Sequence, residues 1–200
     1  IALGAAMCCD SAHKTLPVVT GGAYLHLAHD APVQDEAAVR GALALFGSTS
    51  PSYLILQSLD ACNAVLAGDY PRRLAQCCAA LEGLRRSLNK AAAVRQCPVP
   101  LAVAGTQQEP MKLTLDAAAL GCTGTALAES LRRAQMECEY ADPRYVVLMF
   151  TTENPPQDYT RLQAALEQLL AAVPAGLPRP ENRAGEFAAL QQQAVQRCTI

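Results

Sequence analysis

Apolar residues dominate two short runs near the start of the chain, residues 5–9 and 18–27. Both runs have the length of strands that are buried on both faces, and the second also contains glycine and β-branched residues. The segment between them, residues 10–17, is polar at its start and ends in proline, which predicts a connecting loop. Lys14 is therefore expected at the end of a strand, where open α/β sheets bind their ligands.

Helical segments follow these two runs. Residues 35–46 predict a short helix, and leucine and cysteine recur at helical spacing over residues 52–67 and 72–94. Ser50 and Pro51 predict the start of the second helix, with the serine as N-cap and the proline as the first helical residue. Gly68 predicts its end.

The composition changes after two breaks, at residues 96–100 and 106–110. Residues 111–115 and 145–150 predict strands, and a helix is expected after each of them, opening at residues 121–124 and at 154–155. This strand–helix–strand–helix order predicts a small second domain. We therefore expect domains at residues 1–95 and 96–173, followed by a proline-rich linker and a glutamine-rich tail at residues 174–200.

Charge and composition exclude several classes of partner. The net charge is −2, and three arginine pairs (Arg72-Arg73, Arg85-Arg86 and Arg132-Arg133) are expected on solvated helix faces. Neither nucleic acid nor a membrane surface is an expected partner, and no apolar stretch reaches the roughly 18–20 residues of a transmembrane helix. Because Ile1 lies inside an apolar run, we expect the chain to be a fragment or a processed piece.

The nine cysteines of the chain follow no metal-binding spacing. No C-x-x-C occurs, and the three histidines fall at no zinc-ligand distance from any cysteine, so no metal is expected. An odd number of cysteines without a secretion signal indicates reduced thiols and a cytoplasmic protein. We expect these thiols to act as small buried apolar residues.

The candidate chemistry lies in the loop Ser11-Ala12-His13-Lys14. Lys14 stands between the two apolar runs, and a desolvated lysine has a lowered pKa, as an amine nucleophile requires. Ser11 and His13 offer donors to a phosphate group. The tetrapeptide alone is a weak motif, because a serine, a histidine and a lysine in a loop are commonly just solvated.

Three ordered blocks carry a resemblance to a known family. The first covers residues 10–17 and 20–26, the second covers residues 48–54 and 58–60, and the third extends from residues 121–124 through 140–143 to 151–154. Together they resemble the ornithine/lysine/arginine decarboxylases, which are fold-type-I pyridoxal-phosphate enzymes, over about residues 1–170. The C-terminal residues 179–200 do not align with that family.

The resemblance implies an α/β architecture, namely the C-terminal part of an aspartate-aminotransferase-like fold. Residues 1–95 would form the end of the large cofactor-binding domain, and residues 96–173 the small α+β domain. The resemblance implies pyridoxal 5'-phosphate as cofactor, with Lys14 as the Schiff-base lysine and His13 at the phosphate or near the proton transfers. It also implies a homodimer or higher homo-oligomer. The residues expected at the phosphate are Ser11 and His13 of the same subunit and Ser48, Thr49 and Ser50 of the neighbouring one.

The reaction implied is decarboxylation of a basic amino acid to the corresponding amine. The substrate stays open between ornithine, lysine and arginine. Another fold-type-I activity (an aminotransferase or a carbon–sulfur lyase) and a non-catalytic truncated homologue also stay open. In the family the acidic partner of the pyridinium nitrogen precedes the lysine and would lie before Ile1. We therefore expect these 200 residues alone to bind the cofactor poorly and to lack turnover.

Overall fold

The computed structural model describes residues 1, 4–32, 35–47, 49–105 and 108–174. The chain divides into two compact units, residues 1–75 and residues 76–200. This division falls within one long helix, whereas the sequence predicts a domain boundary at the end of that helix, at residue 95. The predicted domain boundary stays a prediction, as does the linker and tail assignment, most of which lies outside the described residues.

The elements of the first unit are β1 (Met7–Asp10), a 3₁₀ turn (Ala12–Lys14), β2 (Tyr24–Leu27), α1 (Glu36–Phe46) and α2 (Tyr53–Ala67). Helix α3 (Tyr70–Val94) begins in the first unit and continues into the second. The second unit adds β3 (Lys112–Asp116), a 3₁₀ turn (Ala117–Leu120), α4 (Gly124–Arg133), β4 (Tyr140–Ala141), β5 (Tyr145–Met149) and α5 (Pro156–Ala172).

Strands β1 and β2 form an antiparallel ribbon, with Cys8 opposite His26 and Asp10 opposite Tyr24. Most of its residues are exposed, and Cys8 and Tyr24 are half-buried. The expectation of two strands buried on both faces is therefore wrong for this chain. The apolar runs predicted strands correctly but not their burial, because no other described strand pairs with this ribbon.

Helices α1 and α2 lie close to their predicted positions. Asp35 caps α1, since its carboxylate accepts a hydrogen bond from the Ala37 N–H at 2.9 Å. The predicted start of α2 is wrong by two residues. Ser52, and not Ser50, is the N-cap, because its backbone is still extended (φ −70°, ψ 114°). Pro51 consequently precedes the helix instead of opening it.

The second unit is built on one buried face of a three-stranded antiparallel sheet with strand order β3-β5-β4. Leu113 lies opposite Leu148, and Leu115 lies opposite Val146. These four side chains are 0–5% exposed and pack against the apolar faces of α3, α4 and α5. Because side chains alternate between the two faces of a strand, every second residue of β3 and β5 contributes to the buried core.

One arginine of the three pairs departs from its predicted position on a solvated face. Arg85 is only 7% exposed. Its Nη1 donates to Glu82 at 2.7 Å and its Nη2 donates to the Lys112 carbonyl at 3.1 Å. Two of its nitrogen donors are therefore hydrogen-bonded within the second unit. Its Nε has no hydrogen-bond partner among the described residues.

The cysteines follow the sequence-based expectation in part. No disulfide joins the eight cysteines in the described ranges. Cys62 and Cys77 are buried, as expected, but Cys9 is exposed. Within the same ranges no group of three metal-ligating side chains occurs. Of the described helices, none is both long and apolar enough to cross a lipid bilayer.

Gly124 allows α4 to begin directly against the strand connection at residues 142–145. A Cβ at this position would overlap the carbonyl oxygens of Asp142 and Tyr145. We expect Gly124→Ala to lower the free energy of unfolding by about 3 kcal/mol, because backbone atoms cannot move aside cheaply. The matched control is Gly83→Ala within α3, where a Cβ has open space and should stabilise by up to about 1 kcal/mol. Urea unfolding measures both; equal effects would contradict the steric argument.

Asp142 gives the second unit a pH-dependent contribution to stability. Its Oδ1 accepts the backbone N–H groups of Tyr145 at 2.6 Å and Arg144 at 2.7 Å. These bonds, that from Tyr145 foremost, hold the pKa of the carboxyl below its ordinary value. A lowered folded-state pKa stabilises the fold above the unfolded-state value of about 3.9, and the contribution is lost as the pH falls through the folded-state pKa.

We therefore expect Asp142→Asn to lower the free energy of unfolding at pH 7. The difference in free energy of unfolding between this variant and the unaltered protein should become smaller as the pH falls. The measurement is the free energy of unfolding in urea as a function of pH. Glu139→Gln is the matched control, because Glu139 is exposed and its side chain accepts no hydrogen bond described in this unit. A difference that stays constant down to acidic pH would contradict the assignment.

Candidate active site around Lys14

Lys14 is the last residue of the 3₁₀ turn that follows β1. Its N–H donates to the Ser11 carbonyl at 3.1 Å, and the Leu16 N–H donates to the Ala12 carbonyl at 2.8 Å. Ala12 is 2% exposed and anchors the turn, while the Lys14 side chain is exposed. The backbone under the amine is thus hydrogen-bonded although the amine faces solvent. The predicted position of Lys14 after a strand is confirmed.

The expectation that Lys14 has an apolar setting is wrong for this chain. Lys14 is exposed, and the ribbon strand that precedes it is itself mostly exposed. The described residues therefore do not enclose the Lys14 side chain. Ser11 is also exposed and makes no capping hydrogen bond with its side chain.

His13 is fixed by one backbone carbonyl. The Gly22 carbonyl accepts the His13 backbone N–H at 3.3 Å and lies 3.1 Å from the imidazole Nδ1. A carbonyl can only accept, so Nδ1 carries the proton and Nε2 of the neutral ring keeps its lone pair. The structure thus orients the imidazole beside Lys14 and leaves Nε2 available as an acceptor.

The turn that supplies this carbonyl needs glycine at two positions. Gly21 has φ +99°, a conformation that L side chains rarely adopt. A Cβ on Gly22 would overlap the Val18 side chain and come within 3.3 Å of the Leu59 side chain. The glycine pair therefore lets the loop close over His13 while the backbone approaches α2.

Two hydrogen bonds join this turn to helix α2. The Val19 N–H donates to Ser58 Oγ at 3.2 Å, before the glycine pair. After the pair, the Tyr24 hydroxyl lies 2.8 Å from the Leu59 carbonyl and 3.1 Å from Asn63 Oδ1. Burial raises the pKa of the Tyr24 phenol, which keeps it a donor. The phenol has a single proton, and the Leu59 carbonyl is the nearer acceptor.

The predicted phosphate-binding block lies just before α2. Thr49 and Ser50 are exposed in the turn that leads to the N-cap of the helix. Ser48 lies outside the described residues. The described hydrogen bonds join the Lys14 loop to the middle of α2, at the Ser58-Leu59 part of the second block. The roles predicted for Ser11, His13 and the three hydroxyl residues of that block stay predictions.

Asp10 is not placed as an acid partner for a cofactor, because its carboxylate already has partners within the ribbon. One of its carboxylate oxygens lies 3.1 Å from Nε2 of His26 across the ribbon, and the other accepts the Cys8 thiol at 3.2 Å. That hydrogen bond raises the pKa of the Cys8 thiol. Asp10 therefore organises the polar face of the ribbon.

Tyr24 and Ser58 are residues for which sequence reasoning assigned no role. Both lie within the resemblance blocks, and their spacing gives no sign that they meet. The available signal was a turn-forming glycine pair together with a serine inside a helix, since serine is not a favoured residue of helix interiors. Only the fold shows that the two blocks contact each other through these side chains.

Comparison with known proteins adds the family context. The sequence model of the family described as "Orn/Lys/Arg decarboxylase, major domain" matches residues 4–108. The uncharacterized protein YaaO of Bacillus subtilis is 34% identical over 151 residues, which are 74% of this chain and 30% of YaaO. The chain thus spans 30% of the length of this curated relative.

Solved structures show the same fold. The constitutive lysine decarboxylase of Escherichia coli superimposes with a TM-score of 0.64 at 18% identity, over 83% of this chain and 28% of that protein. The lysine decarboxylase of Francisella novicida gives a TM-score of 0.63 at 18% identity, over 80% of this chain and 27% of that protein. The mixed α/β arrangement is therefore similar to the lysine decarboxylase fold.

The hydrogen bond to Gly22 predicts the tautomer of His13. We expect neutral His13 to carry its proton on Nδ1, whereas His26 should carry it on Nε2, which faces Asp10 at 3.1 Å. Long-range ¹H–¹⁵N correlation spectra of the histidine rings distinguish the two forms, and His26 serves as the internal reference. A proton on Nε2 of neutral His13 would show that the Gly22 contact does not form.

Proposed function

This chain belongs to the Orn/Lys/Arg decarboxylase family, and on that premise we propose that it acts in the pyridoxal-phosphate-dependent decarboxylation of a basic amino acid. The observation that carries the proposal is Lys14. It is an accessible amine on a hydrogen-bonded turn, adjacent to an imidazole of fixed orientation. A solvated loop lysine without a role would not need the glycine turn and the ties to α2 that hold this segment.

The donors present fit two ends of pyridoxal 5'-phosphate. The Lys14 amine suits the aldehyde carbon, where it would bond with loss of water. Ser11 and the Nε2 side of His13 would serve the phosphate, the imidazole in its protonated form. Thr49 and Ser50 precede the N-terminus of α2, where the helix dipole favours an anion, and would serve the phosphate of the neighbouring subunit's cofactor. Ser48 is proposed with them by resemblance.

The chain's own residues have defined tasks in this proposal. When bound, the cofactor supplies an electron sink for the bond that breaks at the substrate α-carbon. Lys14 would hold the cofactor through its Nζ. His13 remains on the Gly22 carbonyl through Nδ1 and presents Nε2 to the phosphate or to the proton transfers. Gly21 and Gly22 keep this geometry by closing the turn.

We further propose that the chain corresponds to the C-terminal part of an aspartate-aminotransferase-like fold. Residues 1–95 would end the large domain, and residues 96–173 would form the small one. The match of residues 4–108 to the major domain of the family supports the first assignment. The partial coverage of the two lysine decarboxylases supports a position within a longer architecture.

The proposed substrate is a small basic amino acid, namely lysine, ornithine or arginine. Lysine is the first to test, because the similar solved structures are lysine decarboxylases. A homodimer or higher homo-oligomer in the cytoplasm is proposed as the working form. Large apolar side chains that are 48–86% exposed support such an assembly. They are Leu43, Leu45, Phe46, Tyr53, Leu54 and Leu56.

The chain has three lysines, which makes the role of Lys14 directly testable. We expect borohydride reduction in the presence of pyridoxal 5'-phosphate to fix a cofactor-derived mass on Lys14, located by peptide mass spectrometry. Lys14→Ala should abolish that label and, in the full-length protein, all release of carbon dioxide from lysine, ornithine or arginine. Lys90→Arg and Lys112→Arg are the controls, because neither residue lies in the Lys14 loop.

Each alternative gives a distinct result in this experiment. In the full-length protein, labelling of Lys14 without release of carbon dioxide from any basic amino acid would favour another fold-type-I activity. Equal labelling of all three lysines would mean that Lys14 has no cofactor site, and would contradict the proposed function. A function that survives Lys14→Ala would identify a non-catalytic homologue.

A further inference from the structure

The loop that carries Lys14 has few buried side chains of its own. In the segment from residue 11 to residue 22, only Ala12 and Gly22 are buried. Apolar packing of the loop is therefore limited, and its position depends on the hydrogen bonds that leave it. The Val19 N–H of the loop and the hydroxyl of Tyr24, at the start of β2, reach the same helix, α2, on the two sides of the Gly21-Gly22 turn.

The Ser58 hydroxyl can accept a hydrogen bond from the loop because it donates its own proton within α2. Its hydroxyl donates to the Ile55 carbonyl one turn earlier at 2.8 Å, which leaves its lone pairs to the Val19 N–H at 3.2 Å. A helix serine that only bonded back to its own helix would leave this backbone N–H without that acceptor. The hydrogen bond from Val19 thus connects Ser58 to the loop outside α2.

The contacts form a continuous path from α2 to Lys14. Ser58 and Leu59 hold the backbone of Val19 and the phenol of Tyr24, and the turn between these two residues carries the Gly22 carbonyl. That carbonyl holds both the backbone N–H and the ring of His13, the neighbour of Lys14. Hydrogen bonds within the first unit join the segments of this path, and the covalent chain connects Val19 and Tyr24 to Gly22 and His13 to Lys14.

We propose that Ser58 and Tyr24 are positioning residues that set the placement of Lys14 by fixing the glycine turn on α2. The inference rests on the proposed function of Lys14 but concerns residues that do not touch the cofactor. Loss of either hydroxyl loosens the turn, frees His13 and spreads the positions open to the amine. The rate at which Lys14 meets an aldehyde then falls, although the lysine itself is unchanged.

The experiment uses Ser58→Ala and Tyr24→Phe, each of which removes only a hydroxyl group. Amide hydrogen exchange of residues 12–22 should become about three- to tenfold faster, as for the loss of one net hydrogen bond. The initial rate of borohydride-fixed labelling of Lys14 by pyridoxal 5'-phosphate should fall by a similar factor. Ser58→Thr keeps the hydroxyl and should restore both values.

Matched controls separate positioning from general destabilisation. Ser130→Ala removes a helix serine that bonds back to the Ala126 carbonyl at 3.1 Å, and Tyr145→Phe removes a phenol hydroxyl from a strand. Neither control should alter exchange or labelling of the Lys14 loop. Exchange of the α4 and α5 amides gives the internal reference for the global stability of each variant.

Hydrogen exchange and labelling together test the positioning role of Ser58 and Tyr24. Unchanged exchange of residues 12–22 in both variants, or equal loss of Lys14 labelling in Ser130→Ala, would overturn the positioning role. Absence of any label on Lys14 in the unaltered protein would refute the proposed function instead. In that case faster exchange in Ser58→Ala and Tyr24→Phe would still support the tie to α2, and unchanged exchange would overturn it.

Discussion

The absence of a side chain at Gly22 is the constraint on which the whole Lys14 loop depends. A Cβ there would overlap the Val18 side chain of the same loop and would come within 3.3 Å of the Leu59 side chain of α2, so a larger residue would disturb the packing of the turn on the helix. The carbonyl of the same residue accepts both the backbone N–H and the ring Nδ1 of His13. One missing methyl group therefore permits the approach to the helix, and the approach sets the orientation of the imidazole beside Lys14.

The two units of the chain are stabilised in different ways. The second has a continuous apolar core built on the paired residues of β3 and β5, of which Leu113 and Leu115 are fully buried. The first buries few apolar side chains, Cys62 among them, and exposes many large ones. Directional hydrogen bonds therefore matter more around Lys14 than they do in the second unit. Such bonds fix geometry precisely, but each contributes only about 1 kcal/mol.

The sequence predicted the helices well because their periodicity and their caps are local signals. It failed for the ribbon, since an apolar run gives the strand but not the number of neighbours that cover it. It also placed the start of α2 at Ser50, where two serines flank one proline and local chemistry permits either as N-cap. The hydrogen bonds of Tyr24 to Leu59 and of Ser58 to Val19 join residues that are 35 and 39 positions apart. Only tertiary structure brings such residues together.

The exposure of Lys14 and the exposure of the apolar side chains near α1 and α2 have a common implication for the proposed function. An amine that reacts at an aldehyde carbon works best where water is excluded and the partner charges are fixed. The described residues fix His13 but leave Lys14 in solvent. Exclusion of water must therefore come from surfaces that cover this face when the cofactor binds. The proposed source is a second copy of the chain, because the exposed apolar side chains from Leu43 to Leu56 in the same unit are suited to an interface between copies.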